Sequence, residues 1–254
     1  MKKKLILGIE SSCDETSVAI IEGDSKKETK ILVNLVKSQM EIHQHFGGVV
    51  PELAARAHSE VIDILIKTAL KKAKIKLSDL SAVAATSGPG LLGGLLVGVV
   101  AAKTLSSVLN IPFIAINHLE GHALSAKLEQ DVSYPYLLLL VSGGHTEFTI
   151  VKGFNRYHRI GTTVDDALGE AFDKAARLLK LKYPGGPEIE KLAKKGDETK
   201  YDFPKPMIHE KNCYFSFSGL KSSVSQLIAK QERMSKKKKA DIAASFQRIV
   251  GDVV

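Results

Sequence analysis

Cysteine is scarce in this sequence: Cys13 and Cys213 are the only two in 254 residues, two hundred positions apart. They form no CxxC pair and no metal-ligand spacing, which excludes a disulfide scaffold and a cysteine zinc site. A reduced, cytoplasmic compartment fits that pattern. Long apolar runs are lacking as well. The longest, Gly90 to Ala102, is rich in glycine and stops at Lys103, short of the roughly 18 residues that span a bilayer. No membrane association is therefore expected. Met1-Lys2-Lys3-Lys4 before Leu5–Ile9 imitates a signal peptide, but Glu10 ends the apolar run short of the ~7–15 residues required.

Acidic residues are sparse in one region only. Up to Asp173 the chain has 18 Lys/Arg against 19 Asp/Glu, and beyond it 18 against 9, so the net +8 lies wholly in the last third. Such asymmetry fits a polyanionic partner, nucleic acid above all, and equally a solvated lysine-rich surface. Hydrophobic residues at 44% and charged residues at 25% describe a globular protein rather than a disordered one. The length is enough for one large or two medium domains with a sizeable core.

Periodicity predicts strands at Leu5–Glu10, Ser17–Ile21 and Ile31–Val36, the first two joined by a polar turn. Pro51 opens a helix through about Ala73, with Leu53, Ala57, Val61, Ile64, Leu65 and Ala69 as its apolar stripe. Ala82–Thr86 reads as a strand and Leu91–Leu109 as a helix, in which Gly90, Gly94, Gly98 and Ala102 recur every fourth residue. That spacing leaves one face without side chains, so another element can pack tightly there. A strand to about Asn117, a short helix from His118, a buried-type strand Tyr136–Val141 and its hairpin partner Glu147–Val151 follow. Helices are expected from about Asp165 to Leu179, after Pro184-Gly185-Gly186-Pro187, at Gly219–Met234 and at Ala240–Val254, the last two separated by Lys236–Lys239. The alternation indicates an α/β protein with mixed sheets flanked by helices. Prolines at 112 and 135 point to a boundary near 112, dividing residues 1–112 from 113–254. The last helix is still periodic at Val253-Val254, as if the chain stopped inside an element.

The sharpest constellation is His118-Leu119-Glu120-Gly121-His122, since two histidines four apart on a helix share a face and can share a metal ion. A zinc protease needs its glutamate directly after the first histidine; here that place is Leu119, and Glu120 is turned by about 100°, which disfavours a metalloprotease. Val141-Ser142-Gly143-Gly144-His145-Thr146 lies between two strands. Its glycines allow backbone N–H groups to converge on an anion while a hydroxyl and an imidazole add directed contacts. The turn Glu10–Thr16 can wrap phosphates, with Asp14 or Glu15 available to a cation or a proton. Asp166, Glu170 and Asp173 share a helical spacing with Arg177; Thr163 and Asp166 have the form of a capping box. Glu52, Arg56 and His58 are explained equally well by a solvated helix face, and His43 and His45 read as loop residues.

Together these motifs resemble the bacterial tRNA threonylcarbamoyladenosine transferase family, TsaD. The resemblance is carried by Ile9–Thr16, Gly48–Glu52, Gly88–Leu91, Asn117–His122, Leu140–Thr146, Asp165–Lys174 and Tyr183–Pro187. It implies an actin-like architecture of two lobes with a nucleotide cleft, the first lobe at 1–112 and the second, incomplete, at 113–254. It implies transfer of a threonylcarbamoyl group from threonylcarbamoyl-AMP to N6 of the adenosine 3′ of the anticodon, in tRNAs reading codons that begin with A. His118 and His122 resemble the ligands of one Fe2+ or Zn2+ ion per subunit. Val141, Ser142, Gly143, Gly144 and His145 resemble the loop that holds the substrate, and Asp173 and Gly186 the contacts to its nucleoside. On this reading Asp14, Glu15 and His145 are the expected catalytic residues.

The family also has a longer C-terminal part that supplies an asparagine of the nucleotide site and an aspartate of the metal site. Without them the expectation is weak metal occupancy and little transferase activity. Expected partners are tRNA, a TsaB-like paralogue docking through helices near the lobe boundary, a TsaE-like ATPase, and a second copy in a homodimer. Two other readings stand beside it: an ATP-binding phosphotransferase or ATPase of the same architecture, and a non-catalytic scaffold.

Overall fold

Alternating apolar residues in Lys4–Glu10 (β1) and Glu15–Gly23 (β2) send Leu7, Ile9, Val18 and Ile20 into a core while their neighbours face outward. The computed structural model describes residues 3–24, 29–130, 132–231 and 233–254. They divide into two compact units, Met1–Asp131 and Val132–Val254.

In the first unit β1 and β2 form a hairpin, extended by Lys30–Ser38 (β3) on one side. Ala82–Gly88 (β4) and Phe113–Asn117 (β5) join the other side in parallel, giving the order β3-β2-β1-β4-β5. The helices are Met40–His43 (α1), Pro51–Ala73 (α2), Leu92–Leu109 (α3) and His118–Glu129 (α4). Apolar residues of α2 and α3, among them Ile62, Ile66 and Ala102, close the core over Leu7, Ile20 and Val83. The buried face of α2 is turned from the expected stripe. It runs through Ala54, Ala57, His58, Ile62, Ile66 and Ala69 and leaves Ile64 outside, because His58 is a core residue and not part of a solvated face.

Helix α3 packs as its four-residue glycine spacing predicts. A Cβ on Gly94 would stand 2.4 Å from the Ser11 carbonyl oxygen, and one on Gly98 would stand 2.3 Å from the Ser11 hydroxyl. Only hydrogen fits at either place. The helix has 18 residues of mean hydropathy 1.8, so by length and composition alone it could cross a membrane, contrary to the expectation from the interrupted run. Here its bare face is an integral layer of the first unit.

The second unit holds an antiparallel meander of Tyr136–Val141 (β6), Thr146–Gly153 (β7) and Arg156–Thr162 (β8). Leu168–Leu178 (α5), Gly185–Ala193 (α6), Ser218–Ala229 (α7) and Lys236–Val253 (α8) surround a core that includes Leu179, Ile189, Phe217, Leu220, Ile242 and Phe246. Strand β6 is an edge strand with Leu137, Leu139 and Val141 exposed, so its uniform apolar run marks one buried and one bare face rather than a buried strand.

Two boundaries differ from those expected. Residues 113–131 belong to the first unit, because β5 pairs with β4 and α4 follows directly from β5. The run Lys236–Lys239 is the first turn of α8 rather than a spacer, and Ser235 caps it by accepting the Lys238 N–H at 3.2 Å.

Candidate functional site

The parallel strands β1, β4 and β5 end at the same edge of the first sheet, where α/β proteins gather ligand-binding groups. Glu10 closes β1, Thr86 lies near the end of β4, and His118 begins α4 directly after β5. Asn117 starts that helix cleanly, its side-chain oxygen accepting from the N–H groups of Leu119 and Glu120 at 2.9 and 3.3 Å.

His118 Nδ1 stands 3.3 Å from Glu10 Oε2 and 3.3 Å from the Ser12 hydroxyl. A carboxylate only accepts, so the Nδ1 proton points at Glu10, and in the neutral ring Nε2 keeps its lone pair. Burial raises the Glu10 pKa, but hydrogen bonds from His118, Ser12 and Thr86 outweigh it and lower the value to about 2. On the far side of the ring, His118 Nε2 lies 3.1 Å from His122 Nε2, with the rings edge to face. Two imidazole nitrogens each about 2.0–2.1 Å from one zinc ion also stand about 3 Å apart. The donor set therefore fits one divalent ion. A carboxylate holding the other ring nitrogen is the usual support of such a ligand.

Glu10 is spent on that support. Among the described residues no group of three or more His, Cys, Asp and Glu is gathered to hold a metal. The partnership of Glu10 with His118 escaped the motif reading, although both sit at C-terminal ends of strands that a parallel sheet brings together. Asp14 is half-buried and Glu15 exposed on the turn that follows. Between them and Glu10, the Cys13 thiol is pushed up to about 12 by partial burial and then by the charges of Asp14 and Glu10, which keeps it a thiol.

A second cluster forms in the other unit. The loop after β6 is locked by Ser142, whose N–H donates to the His145 carbonyl at 2.8 Å and whose hydroxyl accepts from the His145 N–H at 3.0 Å. Helix α5 starts against it: Leu168 N–H meets the buried Thr146 hydroxyl at 2.8 Å and Gly169 N–H meets the Ser142 carbonyl at 3.2 Å. A Cβ on Gly169 would lie 2.7 Å from that oxygen. The tip, Gly143 and Gly144, stays exposed, beside half-buried His145 and exposed Val141. One turn along α5, Asp173 accepts the Gly185 N–H at 2.7 Å, which sets it next to Gly186, whose α-carbon is open to solvent. The structure thus brings Asp173 and Gly186 together, with the Ser142–His145 loop packed on the start of the same helix.

The acidic start of α5 is wired differently from the capping box expected there. The helix begins at Leu168, and Thr163 donates to the Asp166 carbonyl at 2.6 Å instead of capping. Asp165 reaches across to α7, accepting from the N–H groups of Phe217 and Ser218 at 2.8 and 3.2 Å and from the hydroxyls of Ser216 and Ser218. Lys174 joins Asp166 and Glu170 at 2.6 and 2.9 Å.

The lysine run at the start of α8 is partly tied down as well. Lys237 pairs with Asp241, Lys238 donates to Gln231, and Lys239 donates to the Leu179 carbonyl at the end of α5. Lys239 there offsets the negative end of a helix dipole. Lys236 and Lys237 are exposed.

The family model described as TsaD, tRNA N6-adenosine threonylcarbamoyltransferase, matches residues 30–254. The chain belongs to this family. Proteins with that same description are 54% identical over 253 residues in Pelagibacter ubique and 57% identical over 249 residues in Bartonella tribocorum. The chain is covered to 100% and 98%, and spans 70% and 68% of those TsaD proteins. Among solved structures, YeaZ from Pseudomonas aeruginosa matches at a TM-score of 0.42 and 18% identity, over 61% of this chain and 64% of that one.

Within this chain the Asp165 cap predicts a pH signature. Burial raises its pKa, but the hydrogen bonds from Ser216, Phe217 and Ser218 prevail and lower it to about 2. A depressed carboxylate stabilises the fold above its ordinary value and loses that effect as pH falls toward 2. Asp165→Asn should therefore cost about 1 kcal/mol at neutral pH, the typical worth of a helix cap. The gap between wild type and variant in urea unfolding should shrink as pH drops from about 4 to about 2. A gap that stays constant would remove the charge from the explanation.

Proposed function

We propose that this chain carries the transferase chemistry of its family: it passes the threonylcarbamoyl group of threonylcarbamoyl-AMP to N6 of the adenosine 3′ of the anticodon in tRNA. The observation that carries the reading is the convergence of His118 Nε2 and His122 Nε2 at 3.1 Å, with Glu10 on the opposite ring nitrogen. Those two histidines would hold a divalent iron or zinc ion, which when bound supplies a Lewis acid that polarises the donor's carbonyl. The chain's own residues do the rest. The turn Glu10–Thr16 meets the donor's phosphate, and the exposed Gly143–Gly144 tip with His145 holds its polar groups. Asp173 and Gly186 bind the nucleoside. As N6 attacks the carbamoyl carbon and AMP leaves, the proton released from N6 passes to a carboxylate of Asp14 or Glu15, with His145 completing the catalytic set.

The chain works on tRNA in the cytoplasm. Its basic last third attracts the polyanion; within the lysine run Lys236 and Lys237 are exposed, Lys237 while also paired with Asp241. An actin-like two-lobe frame, a TsaE-like ATPase and a homodimer remain part of the reading. The TsaB-like paralogue docks on α3, where Leu92, Leu96 and Val100 form an exposed apolar row opposite the glycine face.

With two nitrogen ligands, purified chain should hold iron or zinc well below one ion per molecule by elemental analysis, and His118→Ala should remove what remains. A tightly held stoichiometric ion would contradict this. Extended to its relatives' length and given threonylcarbamoyl-AMP, tRNA and its partners, the protein should form the modified nucleoside. Transfer of the γ-phosphate from labelled ATP in its place would favour a phosphotransferase. Leu96→Glu should weaken capture of the paralogue by about tenfold or more while leaving the thermal unfolding of the isolated chain in place. Undiminished capture would move that interface elsewhere.

A further inference from the structure

Three buried polar side chains of the first unit belong to neither cluster described above. His58 on α2, His43 on α1 and Gln39 just before α1 are 0%, 0% and 3% exposed, and their hydrogen bonds form one chain in which every role is dictated. The Cys13 carbonyl can only accept, so His58 Nε2, 3.1 Å away, carries the proton. His58 Nδ1 is then the acceptor, for the Thr16 hydroxyl at 2.7 Å and the Gln39 amide nitrogen at 3.2 Å. That nitrogen also donates to the Ala54 carbonyl at 3.4 Å, which fixes the orientation of the amide. The Gln39 oxygen accordingly accepts from His43 Nε2 at 3.1 Å, and His43 Nδ1 accepts from the Val50 N–H at 3.3 Å. Burial favours the neutral form of His58 and lowers its pKa, against the Cys13 carbonyl and the charges of Glu10 and Asp14.

The chain ends on the turn that carries Ser12, Asp14 and Glu15. Three consecutive carbonyls of that turn are gripped from below: Ser12 by Leu91 N–H at 2.7 Å, Cys13 by His58, and Asp14 by Gln39 N–H at 3.0 Å. The C=O and N–H of a trans peptide unit point in opposite directions. Each anchored carbonyl turns the next amide, that of Cys13, Asp14 or Glu15, away from its own anchor, and amides exposed in this way can receive an anion.

We propose that His58, held as the Nε2–H tautomer by Gln39 and His43, is a positioning residue that shapes the 11–16 turn for the donor. This rests on the reading of that turn as the donor's phosphate site. It differs from plain core packing in one respect: the shape depends on a single N–H at the ε position, which glutamine reproduces and alanine does not.

The test uses 15N-labelled chain. Long-range proton–nitrogen spectra of the wild type should show His58 protonated at Nε2 and bare at Nδ1, a measurement that needs no variant to fold. His58→Ala should displace the amide resonances of residues 11–16, and His58→Gln should return them toward wild-type positions. By calorimetry with threonylcarbamoyl-AMP, alanine should weaken binding about tenfold and glutamine should restore most of it. An Nδ1–H tautomer, unmoved turn resonances in His58→Ala, or a glutamine variant no better than alanine would overturn the proposal. If the wild type fails to bind the adenylate, the donor-site reading falls, whereas the spectra still decide whether His58 shapes the turn.

Discussion

The first unit depends on how closely the Ser11–Ser12 backbone lies on α3. Ser11 donates to the Gly94 carbonyl at 2.9 Å, Leu91 donates to Ser12, and the space a methyl group would need on Gly94 is filled by the Ser11 carbonyl. That approach seats the end of β1 beside the ends of β4 and β5. It lets one carboxylate oxygen of Glu10, Oε2, meet both the Thr86 hydroxyl and His118 Nδ1. Displaced outward by the width of one methyl group, the turn would leave His118 Nδ1 without its carboxylate. The small residues of α3 are therefore part of the site, although none of them touches the histidines.

Much of this was legible in the sequence. Period-two strands, the proline that starts α2, the four-residue glycine rhythm of α3 and the paired histidines each rest on local geometry that a sequence displays directly. The side-by-side placing of His118 and His122 was readable from helical spacing, whereas Asp173 and Gly186 were paired only through the family resemblance. What was hidden depends on contacts distant in sequence. His58 looks like a surface residue on a helical wheel; its burial follows from Cys13, Thr16 and Gln39 arriving at α2 from β1, β2 and the loop after β3. Asp165 sits three residues before α5 and looks like that helix's own cap, yet its partners are some fifty residues away on α7. The boundary expected at residue 112 marked a proline rather than the edge of a sheet, and only strand pairing shows that β5 belongs with β4.

The two units solve their polar problems in the same manner. In each, a turn between strands is tied down by side-chain hydroxyls and helix-terminal amides, so that glycine or backbone N–H groups remain on the outer side. In the first unit the fastening groups are Ser11, His58 and Gln39; in the second they are Ser142, Thr146 and the start of α5. Charge enters where the backbone cannot finish the work. Glu10 orients an imidazole, Asp165 terminates a helix, and Lys239 closes another. Part of the basic excess is thus structural, which narrows the surface left for a polyanion.

The dependence of the histidine pair on the α3 contact can be measured without altering either histidine or Glu10. Zinc titrated into wild type and into Gly94→Ala, each checked for native secondary structure by circular dichroism, should bind the variant at least several-fold more weakly, because the added methyl forces the Ser11 carbonyl and Glu10 away from His118. Equal zinc affinity in a folded Gly94→Ala protein would show that the histidine pair does not need the close approach, and would contradict the account at its centre.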